Sequence, residues 1–124
     1  MFVDALRAGS HAGHDRATVE FKNGQPGSIS IRPQASNRFN QSPSGQSLML
    51  AGRHGVLLII RGTDAHTRCS GVRDIKTGFH GLAEVRVLED FEGQVSLGLA
   101  VSQTACYRAV MLASPARLVI DIQA

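Results

Sequence analysis

The feature that most constrains this chain is an alternation of apolar and polar residues with a period of two. The clearest run places apolar residues at every second position, Val95, Leu97, Leu99 and Val101. No window sustains the i, i+3, i+4, i+7 stripe of an amphipathic helix over roughly ten residues. The pattern predicts seven to nine short strands in an all-β fold, a β-sandwich of two packed sheets or a closed barrel. We favour the sandwich, and 124 residues make it a single domain over residues 1–124.

Turn residues divide the chain into predicted elements. Residues 17–22 and 28–32 both alternate, and the Asn-Gly-Gln-Pro-Gly segment between them predicts a β-hairpin. Residues 34–46 are rich in Ser, Asn, Gln and Pro, which is typical of a loop. Residues 56–60 are apolar on both sides, which indicates a central strand covered on both faces.

Composition excludes several classes of protein. Hydrophobic residues at 43% and charged residues at 19% are those of a globular chain, not a disordered one. The formal charge is +3 without a polybasic run, and Trp is absent, which disfavours a nucleic-acid arm or an aromatic stacking platform. No apolar run approaches the roughly 18 residues of a membrane span, so we expect none in this segment.

The two cysteines, Cys69 and Cys106, form either a disulfide or two thiols. Neither lies in a CxxC motif or at zinc-ligand spacing from another Cys or His. Cys69 lies in a polar loop, where a thiol is seldom left unpaired outside the cell. We therefore expect the disulfide, which would stabilise the domain by roughly 3–4 kcal/mol and requires an oxidising compartment. Two unpaired thiols are the alternative.

Motifs for catalysis are sparse. His11 and His14 are three residues apart with Asp15 adjacent, and this turn is the one candidate for a metal-dependent enzyme or small hydrolase. A plain surface turn is the favoured interpretation, because no further ligands accompany it. Neither a GxSxG nucleophile elbow nor a phosphate-binding glycine loop is present. We expect no enzyme, no metal and no cofactor. A nucleic-acid-binding β-barrel is a further alternative.

Three segments resemble one family. Residues 114–122, SPARLVIDI, resemble the ending of AMIN domains, in which Pro-x-Arg precedes three hydrophobic residues, Asp and another hydrophobic residue. Residues 9–21, GSHAGHDRATVEF, are similar to the opening of the actinobacterial AMIN-like domain, with a glycine–histidine–glycine turn before Asp-Arg. Residues 90–99 resemble its FEG-x-V-x-x-GLG run, although Ala100 stands where that subfamily is expected to have Gly.

The resemblance implies a β-sandwich in an exported protein or lipoprotein of the cell envelope. AMIN domains are thought to localise their partners by binding peptidoglycan. The implied function is therefore a non-catalytic domain that binds cell-wall glycan or an envelope protein, without nucleic acid. The expected location is extracytoplasmic, with this chain a mature fragment whose signal sequence, and a lipid anchor if there is one, would lie upstream.

Two motif residues have physical roles of their own. Arg117 and Asp121 share one face of the predicted last strand, with Val119 between them, and Pro115 should precede that strand because it cannot donate a hydrogen bond. We expect Arg117 to form an ion pair with an acid on a neighbouring strand, Asp15 for example. Its loss would cost about 3–5 kcal/mol if the pair is buried.

The predicted binding face is the small-residue side of the strand over residues 94–102, where Ser, Gly and Ala alternate with the apolar positions. Such a face either admits another chain segment or leaves a shallow groove. We expect Phe91, Tyr107 and Arg108 to flank it, with an aromatic ring on a sugar and arginine on a carboxylate or phosphate. For Tyr107, a place at the edge of the core is the alternative.

Overall fold

The computed structural model describes residues 1–41, 46–67, 73–103 and 106–124. These residues form strands and no helix. The strands are β1 (Phe2–His11), β2 (His14–Lys22), β3 (Ser28–Gln34), β4 (Arg38–Gln41), β5 (Gln46–Met49), β6 (His54–Arg61), β7 (Asp74–Lys76), β8 (Leu82–Phe91), β9 (Gln94–Val101), β10 (Tyr107–Leu112) and β11 (Arg117–Gln123). Consequently, nothing in the described ranges is a helix that is long and apolar enough to cross a membrane.

The strands form two main open sheets. One has four strands in the order β1-β2-β11-β10, the other has five in the order β3-β6-β9-β8-β7, and β4 pairs with β5 in a small third sheet. Every strand pair is antiparallel. The predicted all-β sandwich is confirmed, and the barrel alternative is wrong because neither main sheet closes on itself.

The core lies between the two main sheets, and the alternation builds it. On the four-stranded sheet, every second residue of β2 and β11 is buried, from Ala17 to Phe21 and from Leu118 to Ile122. On the other sheet, β6, β8 and β9 contribute the facing side chains, among them Leu58, Val85 and Leu97. Burial of these aliphatic side chains is the main stabilising term, at about 1.5–3 kcal/mol for each one fully removed from water.

The predicted hairpin of residues 17–22 with residues 28–32 is wrong. The strand β2 pairs with β1 and β11, whereas β3 pairs with β6 in the opposite sheet. Asn23 and Gly24 do form a turn with positive φ, at 64° and 137°. The turn therefore carries the chain from one sheet to the other. The apolar faces of β2 and β3 pack in the core between the two sheets, and the alternation of residues is compatible with this arrangement as well as with a hairpin.

The polar stretch over residues 34–46 is not simply a loop, because it contains β4 and the start of β5. With these two short strands and β7, the described residues form eleven strands, more than the seven to nine predicted. Phe39 of β4 is 2% exposed and packs with Leu50, Leu88 and Ala100 in a second, smaller apolar cluster. This cluster lies on the outer side of the five-stranded sheet, so Phe39, with Leu48 packed against the cluster, anchors the β4–β5 hairpin there.

The small-residue side of β9 is where that hairpin docks. A Cβ atom on Gly98 would lie 3.2 Å from the ring of Phe39 and 3.2 Å from Leu50, and one on Gly55 of β6 would lie 2.5 Å from Phe39 Cζ. Of the two alternatives for this face, the structure shows the close approach of another chain segment, and the segment belongs to this chain. The same face is therefore closed to a ligand in this structure, which corrects its use as a binding face. The strand β6 is central, between β3 and β9, as predicted.

Asp15 ties the two main sheets together. It is 1% exposed, and its carboxylate accepts hydrogen bonds from the backbone N–H groups of Gly81 (2.7 Å) and Leu82 (3.0 Å) and from Ser10 Oγ (2.9 Å). Burial alone would raise the pKa of Asp15, but these hydrogen bonds, with the nearby His80, hold the pKa below its usual value.

The expected ion pair between Arg117 and Asp15 is wrong. The Arg117 guanidinium donates to the carbonyls of Ala113 (3.2 Å) and Pro115 (2.9 Å), so it holds the turn before its own strand. Asp15 faces the core on β2, whereas Arg117 lies on the outer face of β11, and the alternation of the strands separates them. The rest of the motif is as predicted, because Pro115 precedes β11 and Val119 is covered.

Candidate binding face

The outer face of the four-stranded sheet carries one arginine from each strand. Strand registers place Arg16 of β2, Asp121 of β11 and Arg108 of β10 in one row across the sheet. Arg7 of β1 and Arg117 of β11 project from the same face. We call this surface the arginine face, defined by Arg7, Arg16, Arg108 and Arg117.

Three of the four arginines have partners within the chain. Arg7 Nη2 lies 2.9 Å from Glu20 Oε1. Arg16 is bidentate on Asp121, with Nε 2.8 Å from Oδ1 and Nη2 3.3 Å from Oδ2. Arg117 is held by backbone carbonyls. Arg108 forms no hydrogen bond or ion pair with any residue that the structure describes, so none of those residues occupies its five donors.

Asp121 is a fixed anion beside this arginine. The hydrogen bond from Arg16 lowers the pKa of Asp121, burial opposes that shift, and the charges of Arg16, His14 and His11 lower the pKa further. The carboxylate thus stays ionised near neutral pH, but Arg16 neutralises it. The positive charge that remains in this row is therefore that of Arg108, at its β10 end.

Two adjoining cavities lie around Arg108 and Asp121, which line both of them. The first, of about 250 Å³, lies on the outer face and is lined by Arg16, Val110, Leu112 and Val119 as well. The second, of about 360 Å³, lies at the end of the sheet. Its remaining lining residues are Gly13, His14, Cys106, Tyr107 and Gln123. Together they make a shallow groove along β10, which we call the β10 groove.

The β10 groove combines a cation with an apolar strip. Val110 and Leu112 are 37% and 38% exposed, large values for aliphatic side chains. They project on the same side as Arg108, because alternate residues of a strand share a face. Such a surface can pair with a carboxylate or phosphate while covering an apolar group next to it.

The structure separates the three residues that were predicted to flank a ligand. Tyr107 is half-buried and packs against the core, so it points to the opposite side of β10 from Arg108, although it lines the end cavity. Phe91 is the last residue of β8, and Leu82 is its first. The Leu82 N–H donates to Asp15, which lies near Tyr107, so Tyr107 is at the Leu82 end of the sandwich. Nine residues of strand separate Phe91 from Leu82, a span of about 30 Å. Phe91 and Tyr107 therefore do not belong to one site.

The histidine turn does not assemble the catalytic group considered above. His11 and His14 pair across the β1–β2 turn and stack, with ring centroids 5.0 Å apart and planes at 13°. Asp15 points into the core and its oxygens are occupied. Within the described ranges, no group of three or more His, Cys, Asp and Glu side chains is placed to hold a metal ion.

Cys106, immediately before β10, is exposed and forms no disulfide with any residue that the structure describes. Cys69 lies outside the described residues. The structure gives no support to the predicted Cys69–Cys106 disulfide, which stays a prediction.

Sequence reasoning missed Arg16, Val110 and Leu112 as members of the site. The alternation of residues 107–112 assigns Arg108, Val110 and Leu112 to one face. No feature of the neighbouring sequence shows that β10 is the outermost strand of its sheet. This place at the edge contributes to the exposure of Val110 and Leu112. Arg16 is brought to Asp121 by a contact between residues 105 positions apart.

The fold defines an all-β sandwich domain, and the β10 groove is a candidate binding face on it. The AMIN-like domain family matches residues 1–124, the whole chain, and the chain belongs to that family. The family resemblance expected from the three motifs is thus confirmed. AMIN-like domains are associated with the cell envelope and are generally not enzymes. No curated protein matches the chain.

Proposed function

We propose that this domain is a non-catalytic binding module that holds a cell-wall polymer, peptidoglycan in the first place, in the β10 groove. The observation that carries the proposal is Arg108, an arginine without a partner among the described residues, set beside two exposed aliphatic side chains. Family membership supports the envelope setting. An extracytoplasmic location belongs to this proposal.

The chemistry of the groove suits peptidoglycan. Stem peptides carry carboxylates, which an arginine binds with charge-assisted hydrogen bonds, often two at once. The acetamido methyl groups of the sugars and the alanine side chains of the stem peptide can cover Val110 and Leu112. The groove is open on the surface, so it accepts a chain that extends beyond it on both sides.

Cosedimentation with purified sacculi tests the proposal. Arg108→Gln should weaken binding by about tenfold, since one charge-assisted hydrogen bond contributes roughly 1.5 kcal/mol or more. Arg7→Gln is the matched control, because it removes the same charge from the same face but lies outside the groove. Its expected effect is less than about twofold. Val110→Ser with Leu112→Ser should weaken binding as well.

Thermal melts of each variant show whether the fold is intact. Equal losses for Arg108→Gln and Arg7→Gln would mean that sacculi are held by net charge alone. Wild-type binding by Arg108→Gln and by the double serine variant would remove the groove from consideration.

A further inference from the structure

The outermost strands of the two main sheets differ in how they are protected from pairing with another chain. An edge strand exposes unpaired backbone groups, and proteins cover them with bulges, prolines, charges or very short strands. β1 has a register irregularity between Val3 and Ala5. β3 contains Pro33, and β7 has only three residues, with charged side chains at both ends.

β10 has only one of these protective features, a single charged side chain. It has six residues in continuous register with β11, without proline, lysine or a bulge. Its one charged residue is Arg108. The side chains of Val110 and Leu112 project from β10 and are exposed. In the described part of the chain, no strand pairs with its outer side.

The phase of the hydrogen bonds identifies the exposed backbone groups. Gln123 N–H donates to Cys106 C=O at 2.9 Å, so this pair is a hydrogen-bonded pair of the β10–β11 ladder. In an antiparallel ladder such pairs alternate with pairs that are not hydrogen-bonded. Hence Arg108, Val110 and Leu112 bond to β11. The N–H and C=O groups of Tyr107, Ala109 and Met111 point away from the sheet.

Charge decides which occupant suits this edge. A strand laid antiparallel on β10 would place its side chains directly opposite Arg108, Val110 and Leu112. Arg108 has no partner within the described chain, so a carboxylate opposite it would complete an ion pair. A second copy of this chain cannot supply one from β10, which contains neither Asp nor Glu and would bring its own Arg108 close by.

We propose that β10 takes up an extended segment of a partner protein as a fifth strand of its sheet. The segment presents an acidic side chain to Arg108 and aliphatic side chains to Val110 and Leu112. Backbone hydrogen bonds to Tyr107, Ala109 and Met111 supply the affinity, and the outward side chains supply the selectivity. This protein contact shares the side chains of Arg108, Val110 and Leu112 with the proposed polymer contact, and it differs from it in using the backbone groups at the edge of the sheet.

The probe is the acetylated and amidated peptide Val-Thr-Val-Thr-Glu-Thr, which in antiparallel register places Val, Val and Glu opposite Leu112, Val110 and Arg108. Binding should protect the amides of Tyr107, Ala109 and Met111 from hydrogen exchange, measured by NMR. Replacing Glu by Lys in the peptide should weaken binding at least about tenfold.

Two matched changes separate strand addition from side-chain binding. In the peptide, N-methylation of the second Thr blocks an N–H that faces β10, whereas N-methylation of the second Val blocks one that faces away. The first should abolish binding and the second should spare it. In the protein, Ala109→Pro removes an N–H that bonds to no strand of its own sheet, so it should abolish peptide binding in a folded protein.

Three results would contradict the addition of a partner strand to β10. Equal binding of both methylated peptides, or no protection of the three amides, would overturn the proposal. A wild-type dimer in sedimentation that Ala109→Pro makes monomeric would also overturn it, in favour of a second copy. Ala109→Pro leaves Arg108, Val110 and Leu112 in place, so its loss of peptide binding with retained sacculus binding keeps the two functions apart.

Discussion

Replacing Asp15 by alanine should remove much of the stability of this domain. The carboxylate is buried and accepts two hydrogen bonds from backbone N–H groups at the start of β8, Gly81 at 2.7 Å and Leu82 at 3.0 Å. A buried donor left without an acceptor costs about 1–3 kcal/mol. Two such donors, with the lost bond from Ser10, give about 4 kcal/mol. A domain of this size has about 5–15 kcal/mol of stability in total.

Two milder variants calibrate that value. In Asp15→Asn the amide oxygen still accepts from Gly81 and Leu82, so the loss should be about 1–2 kcal/mol, mainly that of the charge. Ser10→Ala removes one side-chain bond and leaves both backbone bonds, so it should cost about 1 kcal/mol. Urea unfolding at pH 7, followed by circular dichroism, measures all three. A loss below about 1 kcal/mol for Asp15→Ala would refute the role of Asp15 in joining the sheets.

The pH dependence provides a second test of the same carboxylate. The pKa of Asp15 is lower in the folded state than the value of about 3.9 in an unfolded chain. Its contribution to the free energy of unfolding is therefore complete above that value. The contribution is lost as the pH falls through the lower, folded pKa. The loss of stability of the wild type over this acid range should be smaller in Asp15→Asn. Identical slopes for the two proteins would contradict the assignment.

Three further predictions concern other sites. Phe39→Ala should cost about 3–5 kcal/mol in urea unfolding, because a fully buried ring leaves a cavity between the β4–β5 hairpin and the five-stranded sheet. Burial raises the pKa of Glu84, so wild-type stability should fall as the pH rises from about 4.3 through that raised value. Glu84→Gln, which keeps an acceptor for the Ala51 N–H, should abolish this fall in the same unfolding assay. Iodoacetamide should label Cys106 in the native protein, as measured by mass spectrometry, because this side chain is exposed. Labelling only after reduction would instead support the Cys69–Cys106 disulfide.

The strand β9 shows how much of the fold the sequence predicts. The run from Val95 to Val101 was identified from its alternation, and it is the buried strand β9. The small residues between its apolar positions indicated either a close approach or a shallow groove, and nothing in them showed that Phe39 would approach. Phe39 lies among polar residues with no periodicity, and its burial depends on the space above Gly55 and Gly98, which distant segments create.

The candidate site could be predicted only in part from the sequence, for the same reason. Arg108 was identified as a ligand-binding candidate, and the structure leaves it without a partner among the described residues. Phe91 does not accompany Arg108, because Phe91 and Tyr107 lie at opposite ends of the sandwich. The side chains that accompany Arg108 are its strand neighbours Val110 and Leu112 and the distant Arg16.

For this protein, the sequence alone determined which segments are extended and which side of each segment is apolar. Both are local properties, set by the chemistry of neighbouring residues and by the period of two. Only the tertiary structure decided which strands pair, that β2 and β3 lie in opposite sheets, and that β10 is an edge. The backbone hydrogen-bonding groups of all strands are nearly alike, so pairing is selected by the burial of whole faces and not by any short run of residues.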